Sequence, residues 1–135
     1  MIESGLKWKC TEVVTEEHTA DKIGSGLVKV FATPMMVALM ERTCSESVAP
    51  QLGDDECTVG ILLEIKHTAA TAVGMTVTCE SELVEVDGRR LRFHVRAYDD
   101  AGEIGDGMHE RFIVTRSRFE EKASQRALSS KKGTV

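Results

Sequence analysis

The sequence predicts an α+β domain in which an antiparallel sheet wraps around one long central helix. A single long apolar helix is expected in the first half of the chain, and almost everything from residue 58 to residue 115 has strand character. A sheet with one apolar face needs a cover, and this helix is the only candidate. The length of 135 residues suits one domain, predicted over residues 1–120, with a polar C-terminal tail over residues 121–135.

The N-terminal segment is predicted to hold one strand and a loop. Residues 8–14 are typical of a first strand, and residues 15–26 form a polar stretch that ends in flexible Gly24-Ser25-Gly26. Residues 27–32 are short and β-branched enough for an extended segment. The chain therefore enters the helix from an extended conformation.

The helix is predicted to begin at Thr33-Pro34. Thr is a preferred N-cap, and Pro is tolerated at the first helical position because an N–H there has no partner in any case. The helix should run to about Val48, before Pro50 and Gly53 end it. Its first two turns are apolar over most of the circumference, which is typical of an enclosed helix.

The second half of the chain reads as a series of antiparallel strands. Alternation of apolar and polar residues shifts at Leu83-Val84, which predicts a bulge, and Asp87-Gly88 is a strong hairpin turn signal. The clearest period of two follows that turn, and a second turn is predicted at 99–102. The predicted strands are 58–68, 75–86, 90–98 and 104–115. The long edge of such a sheet must be covered, and side-by-side dimerisation would cover it.

Charge and composition exclude several classes of function. A formal charge of −5 argues against a nucleic-acid or anionic-membrane partner. The sequence shows neither a signal peptide nor a membrane span, so a cytoplasmic location is expected. Four cysteines without CxxC spacing are expected to be free thiols: Cys10, Cys44, Cys57 and Cys79. The spacing of the four histidines predicts no metal site, and the absence of a GxGxxG or nucleophile-elbow motif predicts no cofactor.

Glu41 is the most unusual residue of the helix. On helical spacing it lies in line with Val37, Cys44 and Val48, so a carboxylate sits on an apolar stripe. A carboxylate is costly to bury unless it is paired. Glu41 is therefore a candidate general base or nucleophile, and the alternative is an ion pair near Arg42 or an exposed stripe.

Three further residues are candidates on weaker grounds. Thr33 needs no explanation beyond capping, yet a helix N-terminus also suits the polarisation of a carbonyl. His67 closes a strand, where a lone His is usually an ordinary polar residue. Gly60 interrupts an apolar strand, which indicates a bulge or the close approach of a ligand.

Taken together, these residues resemble the fluoroacetyl-CoA thioesterase-like branch of the hotdog-fold enzymes. The similarity covers roughly residues 5–120, and its specificity lies in the order of the motifs. The matching segments are Val30–Glu41, Gly60, His67-Thr68-Ala69-Ala70-Thr71 with Gly74, Glu85–Leu91, Glu103-Ile104-Gly105 and Gly107–Arg111.

The resemblance implies hydrolysis of a short acyl-CoA, with Thr33, Glu41 and His67 as catalytic residues. It also implies that Gly60 and Arg111 lie beside the substrate. The fluoroacetyl-specific enzyme carries an aromatic lid before its catalytic Thr, whereas no Phe precedes Phe31 here. A broader or different short acyl group is therefore expected. Which of Thr33, Glu41 or water attacks stays open.

Helix geometry predicts that the site is shared between two subunits. Thr33 and Glu41 are eight residues apart, which is about 12 Å along one helix. Both cannot contact one thioester carbonyl from the same chain, so a homodimer with Thr33 from one subunit and Glu41 from the other is expected. Two alternatives remain: a non-catalytic hotdog module that binds acyl-CoA or another apolar ligand, and a hydratase or dehydratase on the same fold.

Overall fold

A computed structural model describes residues 1–133 as a five-stranded antiparallel sheet with a long helix packed on one face. Single 3₁₀ turns flank the first two helices at Glu16–His18 and Ala49–Gln51. The strands are β1 (Lys7–Val13), β2 (Glu56–His67), β3 (Thr76–Asp87), β4 (Arg90–Asp99) and β5 (Gly102–Thr115). The helices are α1 (Ala20–Ile23), α2 (Thr33–Val48) and α3 (Arg116–Gly133).

Strand β2 lies at an edge of the sheet, because the order of the strands is β1-β3-β4-β5-β2. Within the predicted series of antiparallel strands, β3, β4 and β5 are consecutive neighbours, whereas β2 pairs with β5. The connecting loop crosses the end of the sheet, where Thr71 Oγ1 donates to Asp99 at 2.8 Å in the β4–β5 turn. The register shifts predicted near residues 83 and 60 are both present.

Helix α2 packs over the sheet with one side rather than with its whole circumference. Met36, Leu39, Met40, Cys44 and Val48 are each at most 2% exposed. They form one core with the inward residues of β3 and β4. Pro34 and Ala38 are exposed, so the expectation of an enclosed first two turns is wrong for a single chain. The exposed side of α2 therefore includes Pro34 and Ala38.

The chain enters α2 from an extended conformation, as predicted, but the N-cap lies one residue earlier than predicted. Val30 and Phe31 make isolated bridges to Ala72 and Thr19, while residues 27–29 form bends. Ala32 occupies the N-cap position, and Thr33 is the first residue inside the helix. A tertiary hydrogen bond explains why the cap is Ala32 rather than Thr33. The amide of Ala32 donates to the His18 carbonyl at 2.9 Å, which holds Ala32 in the extended conformation of a cap.

The arginines of β4 are paired on the outer face of the sheet. Arg92 and Arg90 both contact Glu110, at 2.6 and 3.1 Å, and Arg96 contacts Glu80 at 3.2 Å. These pairs neutralise the local excess of positive charge, as on an ordinary solvated strand face.

The C-terminal helix α3 spans Arg116–Gly133 and therefore includes most of the predicted polar tail. Residues 134–135 of the predicted tail lie outside the described residues. Among residues 1–133, no helix is both long and apolar enough to span a membrane.

We expect Gly105→Ala to destabilise the fold by about 1–3 kcal/mol. A Cβ at Gly105 would lie 2.6 Å from the Lys66 carbonyl oxygen and 2.8 Å from the sulfur of Met36, so β2 or α2 would have to shift. Urea denaturation measures the effect. Gly26→Ala is the matched control, because its Cβ would meet only Ala20 at 3.5 Å. Equal stability of the two variants would contradict this packing.

Candidate active site

Thr33 and His67 form the first polar cluster, at the N-terminus of α2. The hydroxyl oxygen of Thr33 lies 2.7 Å from Nδ1 of His67, across the gap between the helix and the end of β2. We call this pair the hydroxyl cluster. Both residues come from the sequence prediction, and the structure brings them together within one chain.

The Thr33 hydroxyl is free for this contact because it does not cap the helix. No side-chain cap hydrogen bond is present at this N-terminus, so the predicted capping role of Thr33 is wrong. As the first helical residue, Thr33 has an amide N–H without a carbonyl partner inside the helix. The hydroxyl and this amide therefore stand together at the positive end of the helix dipole.

The environment of His67 favours its neutral form. Burial lowers the pKa of His67 below its ordinary value, and the backbone of Ala69 acts to a smaller extent in the opposite sense. Nε2 of His67 is buried and has no hydrogen-bond partner within residues 1–133. A neutral imidazole beside a hydroxyl can accept its proton.

Glu41 belongs to a second cluster, two turns further along α2. Its Oε2 lies 3.4 Å from Nη1 of Arg111 on β5, and its side chain is 39% exposed. Arg42 instead contacts Glu12 and Glu46, so the neighbourhood of Arg42 does not pair with Glu41. The carboxylate thus has a single charged partner among the described residues and an open side.

Arg111 is held rigidly at the inner face of the sheet. Its Nε donates to Thr58 Oγ1 at 2.7 Å, and its Nη2 donates to the Thr58 carbonyl at 2.8 Å. Nη1 donates to Nε2 of His109 at 3.1 Å. Burial lowers the pKa of Arg111, and the charge of Glu41 opposes that effect. Only 6% of Arg111 is exposed.

Gly60 is the point where these side chains meet. A Cβ there would lie 2.6 Å from Glu41 Oε2, 3.1 Å from Cε1 of His109 and 3.5 Å from Nη1 of Arg111. A Cβ at position 60 would therefore push the Glu41 carboxylate away from this strand. We call Glu41, Gly60, His109 and Arg111 the carboxylate cluster.

One chain keeps the two clusters apart. Thr33 and Glu41 are separated by about 12 Å along the helix. Gly60 and His67 are separated by roughly 20 Å along β2. The structure thus groups the predicted site residues into two separate clusters.

A cavity of about 380 Å³ adjoins the hydroxyl cluster. Thr33, His67 and mostly small residues line it, among them Gly26, Ala69 and Ala70. A larger cavity of about 630 Å³ lies on the outer face of the sheet, between charged side chains of β1, β3 and β4. Neither cluster borders that larger cavity, so the smaller one is the candidate substrate site.

Sequence reasoning missed His109 and the Thr58 anchor. A strand places residues two apart on the same face, so His109 had to share the inner face with Arg111. That parity was the available signal. No group of three or more His, Cys, Asp or Glu in residues 1–133 is arranged to hold a metal ion.

Comparison with known proteins gives consistent matches. The model of the fluoroacetyl-CoA-specific thioesterase family matches residues 14–117. The fluoroacetyl-CoA thioesterase of Streptantibioticus cattleyicolor is 45% identical over 98 residues, 73% of this chain and 70% of that protein. A solved structure of a fluoroacetyl-CoA thioesterase superposes with a TM-score of 0.89 at 37% identity, covering 93% of this chain and 97% of the other. A Thermus thermophilus thioesterase superfamily member gives a TM-score of 0.85 at 30% identity, covering 100% and 98%.

The sheet, the helix packed on it and these matches define a hotdog-fold thioester hydrolase. Within that class, the chain belongs to the fluoroacetyl-CoA-specific thioesterase family.

Proposed function

We propose that this protein hydrolyses short acyl-CoA thioesters at a site shared between two subunits. The observation that carries the proposal is the 2.7 Å contact between the Thr33 hydroxyl and a neutral His67 at a helix N-terminus. A hydroxyl and a base in contact are the arrangement of an activated nucleophile. A solved structure of a related thioesterase variant holds fluoroacetate and CoA.

In the proposed first step, the Thr33 oxygen attacks the thioester carbonyl carbon while its proton passes to Nδ1 of His67. The negative charge that develops on the carbonyl oxygen faces the Thr33 amide and the positive end of α2. The carbon–sulfur bond then breaks, and the CoA sulfur takes the proton from His67. The acyl group is left as an ester on Thr33.

In the second step, water hydrolyses this ester, and a carboxylate is needed to activate the water. We assign that role to Glu41 of the partner subunit, since Glu41 of the same chain lies about 12 Å along the helix. Arg111 contacts Glu41 and is anchored by Thr58, so it fixes the carboxylate. We assign Arg111 and Gly60 to positions beside the acyl group. Gly60 lets the carboxylate pack close against β2, since a Cβ there would lie 2.6 Å from Glu41 Oε2.

The free edge of β2 supports a homodimer. β2 is 12 residues long and pairs only with β5, and two of its apolar side chains, Ile61 and Leu63, are 51% and 41% exposed. A long apolar edge strand is a hazard unless another strand covers it. A second copy can cover it by antiparallel pairing about a twofold axis.

The register of that pairing decides which residues meet. Antiparallel pairing of two β2 strands about an axis between Leu63 and Glu64 places His67 of one subunit opposite Gly60 of the other. The hydroxyl cluster of one chain then adjoins the carboxylate cluster of its partner.

The 380 Å³ cavity beside Thr33 and His67 supports the proposal that the substrate carries a small acyl group. No Phe precedes Phe31 in the sequence. This favours several short acyl groups as substrates, rather than only the fluoroacetyl group for which the relative is named.

Four free cysteines, three of them buried, fit the reducing cytoplasm that we propose as the location of this protein.

A hydrolysis screen across acyl-CoA chain lengths, read by release of free CoA thiol, tests this function. We expect turnover that is highest for short acyl groups and falls as the chain outgrows the cavity. Thr33→Ala is the control, and it should fold normally because Thr33 is not a helix cap. Binding of acyl-CoA with the thioester left intact would instead indicate a ligand-binding module, and rapid release by Thr33→Ala would exclude Thr33 as the nucleophile.

A further inference from the structure

We infer that His109 is a positioning residue, which fixes Arg111 and through it Glu41. His109 lies on β5, opposite Leu63 on β2 and Phe93 on β4, and none of it is exposed. It does not reach the surface of the cavity beside Thr33 and His67. The inference rests on the proposed function, because it concerns how the carboxylate of that site is held.

The two ring nitrogens of His109 have different partners. Nδ1 lies 2.8 Å from the Leu62 carbonyl oxygen, which can only accept a hydrogen bond, so Nδ1 carries the proton. Nε2 lies 3.1 Å from Nη1 of Arg111, which can only donate, so Nε2 carries the lone pair. Both partners therefore require the same neutral tautomer.

The surroundings keep His109 neutral. Burial lowers the pKa of His109, and the nearby charge of Arg111 lowers it further, while the Leu62 carbonyl and the carboxylates of Glu41 and Glu110 act in the opposite sense. A second proton would sit on Nε2 and face the guanidinium of Arg111. The neutral ring is thus the form that can accept from Arg111.

This acceptor gives the guanidinium a third anchor, at Nη1. Thr58 holds Nε and Nη2, which leaves Nη1 to serve His109 and Glu41. Without the His109 acceptor, Nη1 would be held only by the longer 3.4 Å contact to Glu41. The hydrogen bond to Leu62 also attaches the ring to β2 at the register shift between Gly60 and Leu62. His109 therefore connects β2 to Arg111, and through Arg111 to Glu41.

Two substitutions separate these links. In His109→Asn the amide nitrogen falls near the position of Nδ1 and can donate to Leu62, but nothing reaches Arg111. In His109→Gln the amide oxygen falls near Nε2 and can accept from Arg111, but Leu62 loses its donor. Each variant leaves one buried polar group unpaired, so the two should lose comparable thermal stability.

Turnover should separate the two variants. For short acyl-CoA hydrolysis per folded protein, we expect kcat of His109→Asn to fall roughly ten- to a hundredfold, since a small displacement of a catalytic group is costly. His109→Gln should stay within about threefold of wild type, because it keeps the acceptor for Arg111. Equal losses in both variants, or wild-type kcat in His109→Asn, would overturn the inference.

Two further measurements complete the test. Nitrogen-15 NMR of histidine-labelled protein should show His109 neutral and protonated on Nδ1, and a proton on Nε2 would overturn the inference without any activity assay. Thr33→Ala is assayed in parallel. If Thr33→Ala stays active, the proposed function fails; if it is inactive while His109→Asn is normal, only the role of His109 fails.

Discussion

Glu41→Gln is expected to fold normally and to lose turnover by a factor on the order of a hundred or more, the scale of a missing general base. The substitution keeps the shape of the side chain but removes the ionisable oxygen that lies 3.4 Å from Arg111. The amide can still accept from Arg111, so the carboxylate cluster should stay packed. Steady-state thiol release and thermal denaturation together measure the effect.

Glu46→Gln is the matched control for this variant. Glu46 lies on the same helix, pairs with Arg42 and contacts Trp8 and Cys10, outside both clusters. The same chemical change there should leave kcat near wild type. Turnover by Glu41→Gln at the level of Glu46→Gln would remove Glu41 from the mechanism.

Local signals in the sequence were sufficient to predict much of the fold. The Asp87-Gly88 turn, the register shift near Leu83 and the helix from Thr33 to Val48 are all present. Each depends on residues close in the chain: a turn dipeptide, a break in alternation or a Pro near a helix start. The assignment to the hotdog class needed the order of the motifs as well.

Long-range pairing could not be predicted in the same way. Alternation indicates that residues 56–67 form a strand but not which strand lies beside it, and the loop from His67 to Thr76 carries β3 away to the other side of the sheet. The cap of α2 was mispredicted for a related reason. The Ala32 amide is fixed by the distant carbonyl of His18, which no local preference indicates.

The candidate site was predictable by residue but not by partner. The sequence singles out Glu41 as a carboxylate that needs a counter-charge, yet that charge is on Arg111, which is 70 residues away. Likewise, Thr33 and His67 are 34 residues apart, and only the folded chain brings them to 2.7 Å. His109 was missed because a buried neutral His leaves no charge pattern in the sequence.

The second large effect is expected from mixing two inactive variants. If Thr33 of one subunit works with Glu41 of the other, a heterodimer of Thr33→Ala and Glu41→Gln carries both lesions in one site. Its other site is then wholly wild type. With random exchange about half of the dimers are mixed and each has one intact site, so activity should recover to roughly a quarter of wild type.

The structure supplies a matched control for this experiment. Thr33 and His67 contact each other within one chain, so they belong to the same half of the site. Mixing Thr33→Ala with His67→Ala subunits therefore leaves every site with one lesion. That mixture should stay inactive under the same exchange conditions.

Complementation in confirmed heterodimers is thus the most direct test of a site shared between subunits. A shared site predicts recovery to roughly a quarter of wild-type activity for Thr33→Ala with Glu41→Gln, and no recovery for Thr33→Ala with His67→Ala. If the first mixture stays as inactive as its parents, each site is built from a single chain and the proposed β2 pairing is wrong.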